Sequence, residues 1–467
     1  MDRLRNFFAA QAAYEPLDHD AATDERTQIL DREAPRTRPA RRRRFSWLEY
    51  AVFVVLGLAM LWAWNMFLAA APYFRVRFHT SPWALKHFQP VILSVSTVTN
   101  LACVLVFTRR QRDASYPLRI VGSLALLIVV FALLTLSTVD RGFRSSDLPV
   151  GLYFIFVMTM VFCASFATGL NQNGVFAYVS GFGRPEYTQA IMTGQAVAGV
   201  LPCIVQIISV LAVSGGKGGE EKTASKAAFY YFLAAVVVSG IALFGFLYLA
   251  KRATGSWTAI LQNKKSTSEG GEDEDDALPP TTSHKSFGLL YLFQKLQWLA
   301  LALYFCFMIT MVFPVFTTMI ESTQDPAHRS PLFDTAAFIP LAFLFWNAGD
   351  LLGRLSVLNP SLASLARFPR ALFAFSLARL LFVPLYMMCN VNGQGGITPL
   401  GRSDAFYLIV VQFGFGLTNG FLGSVCMMGA GQYVTVEEKG AAGAFMSMML
   451  VAGLATGSLL SFLFVRS

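Results

Sequence analysis

The sequence predicts an all-α polytopic membrane protein: eleven transmembrane helices grouped six and five, the N-terminus in the cytosol and the C-terminus on the opposite side. Three observations predict it. Composition comes first: 55% of the residues are hydrophobic and only 14% are charged, with a mean hydropathy of +0.51, whereas soluble chains carry about 25% charged residues. Second, the apolar residues fall in runs close to the roughly 20 residues that cross a hydrocarbon layer about 30 Å thick as a helix. Third, Lys and Arg concentrate in the connections that an inside N-terminus would place in the cytosol. The net charge of +9 is read as this topology signal, and no nucleic-acid-binding arm is implied.

Residues 1–45 are polar, rich in Pro and Arg and without a cleavable leader, and read as a disordered cytosolic tail. Within it ERTQIL, Glu25 to Leu30, has the form of an acidic dileucine sorting signal, a docking segment for a sorting adaptor. It points to a vacuolar or lysosomal membrane, with the plasma membrane as the second choice. The Arg41–Arg44 run leads into the first span, 48–71. The second, 88–107, and third, 118–138, flank a connection crowded by Arg109, Arg110, Arg112 and Arg119. Spans at 150–176, 189–213 and 227–250 complete an N-terminal bundle over 46–250.

The longest connection, 251–286, contains KKSTSEGGEDEDDALPP and reads as a disordered acidic cytosolic loop. Ser266, with Glu269 three residues on, has a weak acidic-kinase context, but a solvated spacer is the plainer reading. A C-terminal bundle over 287–467 then holds spans at 288–319, 335–357, 371–390, 405–428 and 441–464. All six Cys lie within or at the edges of spans, so no disulfide framework is implied.

Lipid rejects polar side chains, so the intramembrane polar groups are the functional candidates. They are Asn65 in the first span, Thr97 and Asn100 in the second, and Thr168, Asn171, Gln172 and Asn173 in the fourth. The fifth adds Thr193, Gln195 and Gln206; the eighth Asn347, Asp350 and Arg354; the ninth Arg379; the tenth Gln412 and Asn419. Asn347, Asp350 and Arg354 fall on one helical stripe, as do Thr168 and Gln172. Such stripes must face protein or a water-filled cavity near the midplane. Asp350 and Arg379 lie at similar depth, so one carboxylate and two guanidiniums are expected to form a buried network.

Asp350 is the only carboxylate well inside a span, and all five His lie in the tail or loops. Nothing forms a phosphate-binding GxxxxGK[ST] loop, a metal cluster or a Ser/His/Asp set, so no cofactor is implied and an enzyme is disfavoured. Downhill movement of a solute needs least; a proton-coupled carrier using Asp350 is the alternative. Amides match a heterocycle edge, an Asp beside an Arg matches vicinal hydroxyls, and Leu61, Trp64, Leu68 and Phe343 suit the faces of a flat ring.

These residues occur in ordered motifs: WNMF (64–67) then PYF (72–74), YTQAIMTGQAVAG (187–199), FWNAGDLLGR (345–354), LARLLFVPL (377–385), GFGLTNGFLGSVCM (414–427) and GLATGSLLSFLF (453–464). In them the chain resembles the equilibrative nucleoside transporters, and its tail and loop resemble those of fungal members. The resemblance implies a six-plus-five architecture like the major facilitator superfamily. It also implies a carrier of purine and pyrimidine nucleosides, or related nucleobases, between two gated faces; the chain is expected to act as a monomer. It assigns Gln172 to the base, Asp350 and Arg354 to the ribose hydroxyls, and pocket lining to Leu61, Trp64, Leu68, Thr97, Asn100, Phe343, Asn347 and Leu454. It sets Phe88, Phe313 and Pro314 near the outer gate and gives Gly194 and Gly199 to close helix approach, while Arg379 reads as structural. GDLLGR also resembles the facilitator-superfamily element that locks two bundles together, so the Asp350–Arg354 pair is open to a gate role as well as to ribose. Thr97 and Asn100 are more polar than the family's usual pair, and Gly174 replaces a common Ser, which leaves base preference open.

Overall fold

Each predicted span is a helix. The computed structural model describes residues 45–110, 115–139, 149–213, 220–254, 287–325, 328–393, 395, 396, 398 and 401–465. The Glu25–Leu30 motif, the Arg41–Arg44 run and Ser266 with its acidic neighbours lie outside the described residues. The eleven helices are α1 Trp47–Phe78, α2 Pro82–Arg109, α3 Tyr116–Ser137, α4 Val150–Gly181, α5 Pro185–Ile208, α6 Ala224–Arg252, α7 Leu289–Met319, α8 Thr335–Ser356, α9 Pro369–Met387, α10 Phe406–Gln432 and α11 Val436–Ser461. Among the described residues no strand forms; one antiparallel bridge, Ile320 to Val391, joins the α7–α8 and α9–α10 connections.

Some helices outrun their apolar cores. The first span is predicted to end at 71, but Tyr73, Phe74 and Phe78 are buried and carry α1 on to Phe78 after a break at Ala70. Their rings meet Phe88, Phe154 and Phe232, and this aromatic cluster holds the extension. The α2 helix starts at Pro82, six residues before the predicted 88, because Ser81 accepts from the Ala84 N–H and Pro82 suits a first turn. In α9 the helix tightens to a 3₁₀ turn over Arg379–Leu381. Pro384 follows at a position where its missing N–H and its ring exclude the bond to the Leu380 carbonyl. The first eight residues of α10, Phe406–Phe413, are π-helical.

The helices pack as two groups. In the first, α1 lies along α5 and α6, α2 along α4, and α3 along α4 and α6. In the second, α7 lies along α11, α9 and α10, and α8 along α10. Contacts of α5 with α8 and α10, and of α11 with α2 and α4, join the groups.

Glycine makes the closest approaches possible. On α1–α5 a Cβ at Gly57 would strike the Ile191 carbonyl and one at Gly194 the Val54 carbonyl. On α7–α11 Gly453 and Gly457 meet the Tyr304 and Met308 carbonyls. The α8–α10 seam is denser: Gly349 and Gly353 lie on the carbonyls of Phe413 and Leu417, and Gly416 and Gly420 on those of Trp346 and Asp350. Lipid gives helices no hydrophobic reason to associate, so van der Waals contact at small residues supplies the attraction. Gly420→Val should therefore destabilise the protein by about 1–3 kcal/mol or more. Gly240→Ala, where nothing lies within 4 Å, should leave it unchanged. Thermal unfolding in detergent reads both, and equal midpoints would refute the seam.

Candidate substrate site

The polar stripe of α8 is almost fully enclosed: Asp350 is 3% exposed and Arg354 4%. One turn apart, they form an ion pair, with Arg354 Nε donating to Asp350 Oδ2 at 2.7 Å. The other carboxylate oxygen, Oδ1, accepts from Asn419 Nδ2 of α10 at 2.7 Å. Gly420, next to Asn419, lies against the Asp350 carbonyl, which brings this short side chain within reach.

Arg354 also ties α8 to α5. Its Nη1 donates to the Met192 carbonyl at 2.8 Å and to Gln195 Oε1 at 3.2 Å. Gln189 Nε2 returns a bond to the Arg354 carbonyl at 3.3 Å while donating to Thr193 at 2.7 Å. Gln189 Oε1 accepts from Tyr50 OH of α1 at 2.8 Å. Further along the seam Asn347 presses on Gly199, and its Nδ2 reaches the Phe343 carbonyl at 2.8 Å and Cys203 Sγ at 3.5 Å. Towards the Thr335 end of α8 a cavity of about 310 Å³ is lined by Gln206 of α5 and by Thr335, Ala336, Ile339, Pro340 and Phe343 of α8. The α5–α8 seam is thus zipped at its Arg354 end and cleft at its Thr335 end.

On α1, Leu61, Trp64, Asn65 and Leu68 share a stripe. Leu61 and Trp64 are half-buried and Leu68 is 54% exposed. Asn65 Nδ2 donates to the Ala198 carbonyl of α5 at 2.6 Å, which turns this stripe towards α5. On α2, Thr97 and Asn100 are half-buried, and Asn100 Oδ1 lies against Gly169 of α4 without a hydrogen-bond partner. Gln172 of α4 is 5% exposed, and its amide makes no hydrogen bond among the described residues. The neighbouring Asn173 is fully engaged, accepting from Arg119 at 2.6 Å and donating to Thr108 at 2.9 Å. Leu454 is half-buried on α11.

Of the remaining candidates, all but Gly199 pack within their own groups. Phe88 lies against Phe74 and Phe78. Phe313, followed by half-buried Pro314, sits between Tyr386 at 4.8 Å and Phe415 at 4.3 Å between ring centroids. Gly194 faces α1 and Gly199 faces Asn347.

Arg379 joins Asp350 only through intermediates. It does not pair with Asp350 directly; its guanidinium donates to the Cys306 and Phe415 carbonyls, Thr310 and Thr418, and stacks at 4.3 Å over the Phe415 ring. Similar depth along the spans suggests one buried network, and Thr310 and Asn419 link its two charges. Gln189 and the Met192 carbonyl are further partners that the sequence did not single out. Gln189 sits at the polar edge of its span, and a backbone carbonyl has no sequence signature.

Comparison with known proteins shows the family and the fold. The family model described as "Nucleoside transporter" matches residues 157–466. The chain is 32% identical to nucleoside transporter FUN26 of Saccharomyces cerevisiae, over 94% of this chain and 88% of that one. It is 27% identical to equilibrative nucleoside transporter 2 of Mus musculus, over 88% and 95%. Its fold is similar to that of the major facilitator superfamily proton:xylose symporter XylE, with a TM-score of 0.54 at 11% identity, covering 90% of this chain and 88% of that one.

Removing one member of a buried ion pair strands the other, at a cost of about 3–5 kcal/mol. Arg354→Ala should lose stability on that scale, and Asp350→Ala/Arg354→Ala should be less unstable than the sum of the two single variants. A double-mutant cycle in thermal or denaturant unfolding checks this, and simple additivity would show that the pair is not coupled.

Proposed function

The chain belongs to the nucleoside transporter family, and from that premise we propose that it carries purine and pyrimidine nucleosides, or related nucleobases and ribosides, down their gradients by alternating access. The observation that carries the reading is Gln172. A buried amide in an apolar helix, without a hydrogen-bond partner among the described residues, is satisfied by an incoming ligand whose edge offers both donors and acceptors. Asp350 and Arg354 supply an acceptor and a donor fork for the vicinal hydroxyls of a ribose. Trp64, Leu61, Leu68 and Phe343 flank the base, with Thr97, Asn100, Asn347 and Leu454 completing the pocket.

With the N-terminus assigned to the cytosol on the Lys and Arg distribution, the cleft at the Thr335 end faces outward and the Arg354 seam closes the cytosolic side. The two helix groups then rock as bundles joined by the 251–286 loop. Inward opening requires Arg354 to leave the Met192 carbonyl and Gln195, so this guanidinium serves both as ribose reader and as inter-bundle tie. Phe88, Phe313 and Pro314 belong to the outer gate in this scheme. Both oxygens of Asp350 already accept from N–H groups that accept no proton in return, which supports transport without proton coupling. The Glu25–Leu30 motif supports a vacuolar or lysosomal membrane and a sorting adaptor as partner, and the protein acts as a monomer.

Uptake of labelled uridine and adenosine into proteoliposomes should reach equilibrium with or without an imposed pH gradient. Accumulation above equilibrium only with the gradient would establish proton coupling instead, and no uptake of any nucleoside would refute the assignment. Gln172→Ala should weaken uridine binding by about 3- to 10-fold, the worth of one hydrogen bond, with unchanged folded yield. Unchanged uridine affinity would remove Gln172 from the pocket.

A further inference from the structure

Asp350 is held by a chain of hydrogen bonds with a single direction. An Asn side chain can turn either its oxygen or its NH₂ towards a neighbour, and the groups on its far side decide which. At Asn419 the far side holds two donors: Thr310 Oγ1, 2.8 Å from Asn419 Oδ1, and Cys306 Sγ, 3.4 Å from it. The reversed amide would set its oxygen against the Asp350 carboxylate and its NH₂ against those donors.

Thr310 and Cys306 are themselves oriented by Arg379. A guanidinium only donates. Its Nη2 donates to Thr310 Oγ1 at 3.0 Å, and its Nη1 to Cys306 Sγ at 3.1 Å and to the Cys306 carbonyl at 2.6 Å. Thr310 has one proton. The Cys306 carbonyl, 2.8 Å away, already accepts from Arg379, so Asn419 Oδ1 is the better acceptor for it. Two branches from Arg379 therefore converge on one amide oxygen, and the amide NH₂ is delivered to Asp350 Oδ1. Arg379 is 1% exposed and makes no ion pair among the described residues. A charge buried that completely without a counter-ion is expensive, and its contacts lead to the one carboxylate deep in the spans.

We infer that Arg379, acting through Thr310 and Cys306 on Asn419, is a positioning residue that aims the Asp350 carboxylate for the ribose hydroxyls. This rests on the reading that Asp350 contacts the ribose. Thr310 and Asn419 thereby become determinants of sugar selectivity, although they lie behind Asp350 and never touch the sugar. Loss of the relay leaves Asp350 paired with Arg354 but free to turn, so it penalises substrates that offer a hydroxyl and spares those that lack one.

The experiment compares uridine with 2′,3′-dideoxyuridine in proteoliposome uptake, giving KM and kcat for each. Thr310→Val should raise the uridine KM about 3- to 10-fold, the worth of one hydrogen bond, and leave the KM for 2′,3′-dideoxyuridine, which lacks both vicinal hydroxyls, nearly unchanged. Discrimination between the two falls accordingly. Thr310→Ser keeps the hydroxyl and should restore wild-type discrimination, and Asn419→Ala should reproduce the Thr310→Val effect at the last link. Equal losses for both substrates, a fall in kcat alone, or a Ser variant as impaired as Val would mark Thr310 as packing only and overturn the relay. If Thr310→Val yields no folded protein, intact discrimination in Asn419→Ala overturns it. Asp350→Asn separates the two levels: discrimination surviving in that variant removes the carboxylate from the sugar and refutes the underlying reading as well. Discrimination lost in Asp350→Asn but intact in Thr310→Val and Asn419→Ala refutes the relay alone.

Discussion

A carboxylate and a guanidinium buried in a membrane helix must be answered by protein, and the arrangement around Asp350 and Arg354 follows from that demand. Each charge costs at least about 2.5–3.5 kcal/mol to insert at the centre of a span. A hydrogen bond to a charged group contributes about 1.5–3 kcal/mol, so the pair's mutual bond needs further partners from neighbouring helices. Those partners are Asn419 on α10 and the Met192 carbonyl and Gln195 on α5. One helix of the second group is thereby bound both within its own group and across to the first.

Such short-range chemistry requires helices that nearly touch. Four glycines make the α8–α10 seam backbone-to-backbone, and two more do the same between α1 and α5, which carries Met192 and Gln195. The two groups solve this in parallel ways: α7 and α11 meet at glycines as α1 and α5 do, and the tripeptides Gln172-Asn173-Gly174 on α4 and Thr418-Asn419-Gly420 on α10 echo one another. Their polar assignments then diverge. Asn173 accepts from Arg119 while Asn419 donates to Asp350, and Thr418 accepts from Arg379 while Gln172 makes no hydrogen bond among the described residues.

Much of the site was legible because lipid is an unforgiving solvent. Asp350, Arg354, Asn347, Gln172, Gln195 and Asn419 all stand out as polar residues where hydrocarbon would reject them, and helical spacing groups Asn347, Asp350 and Arg354 on one face. The motifs placed the chain in its family before any geometry was known. Less legible were the helix ends, because capping by Ser81 and the aromatic cluster of Phe74 and Phe78 extend helices beyond their apolar windows. The links between Arg379 and Asp350 are illegible for a different reason. Depth along a span follows from residue count at a fixed rise, but which neighbour a side chain meets depends on how the helix is rotated.

From the sequence alone come the eleven spans, the inventory of groups that lipid would reject, and the family, because length, polarity and local motif are properties of consecutive residues. Tertiary structure alone decided who answers whom: that Arg354 holds α5, that Asn419 rather than Arg379 reaches Asp350, and that Gln172 has no hydrogen-bond partner among the described residues. Helix azimuth and separation decide those pairings, and they are set by glycine contacts between segments far apart in the chain.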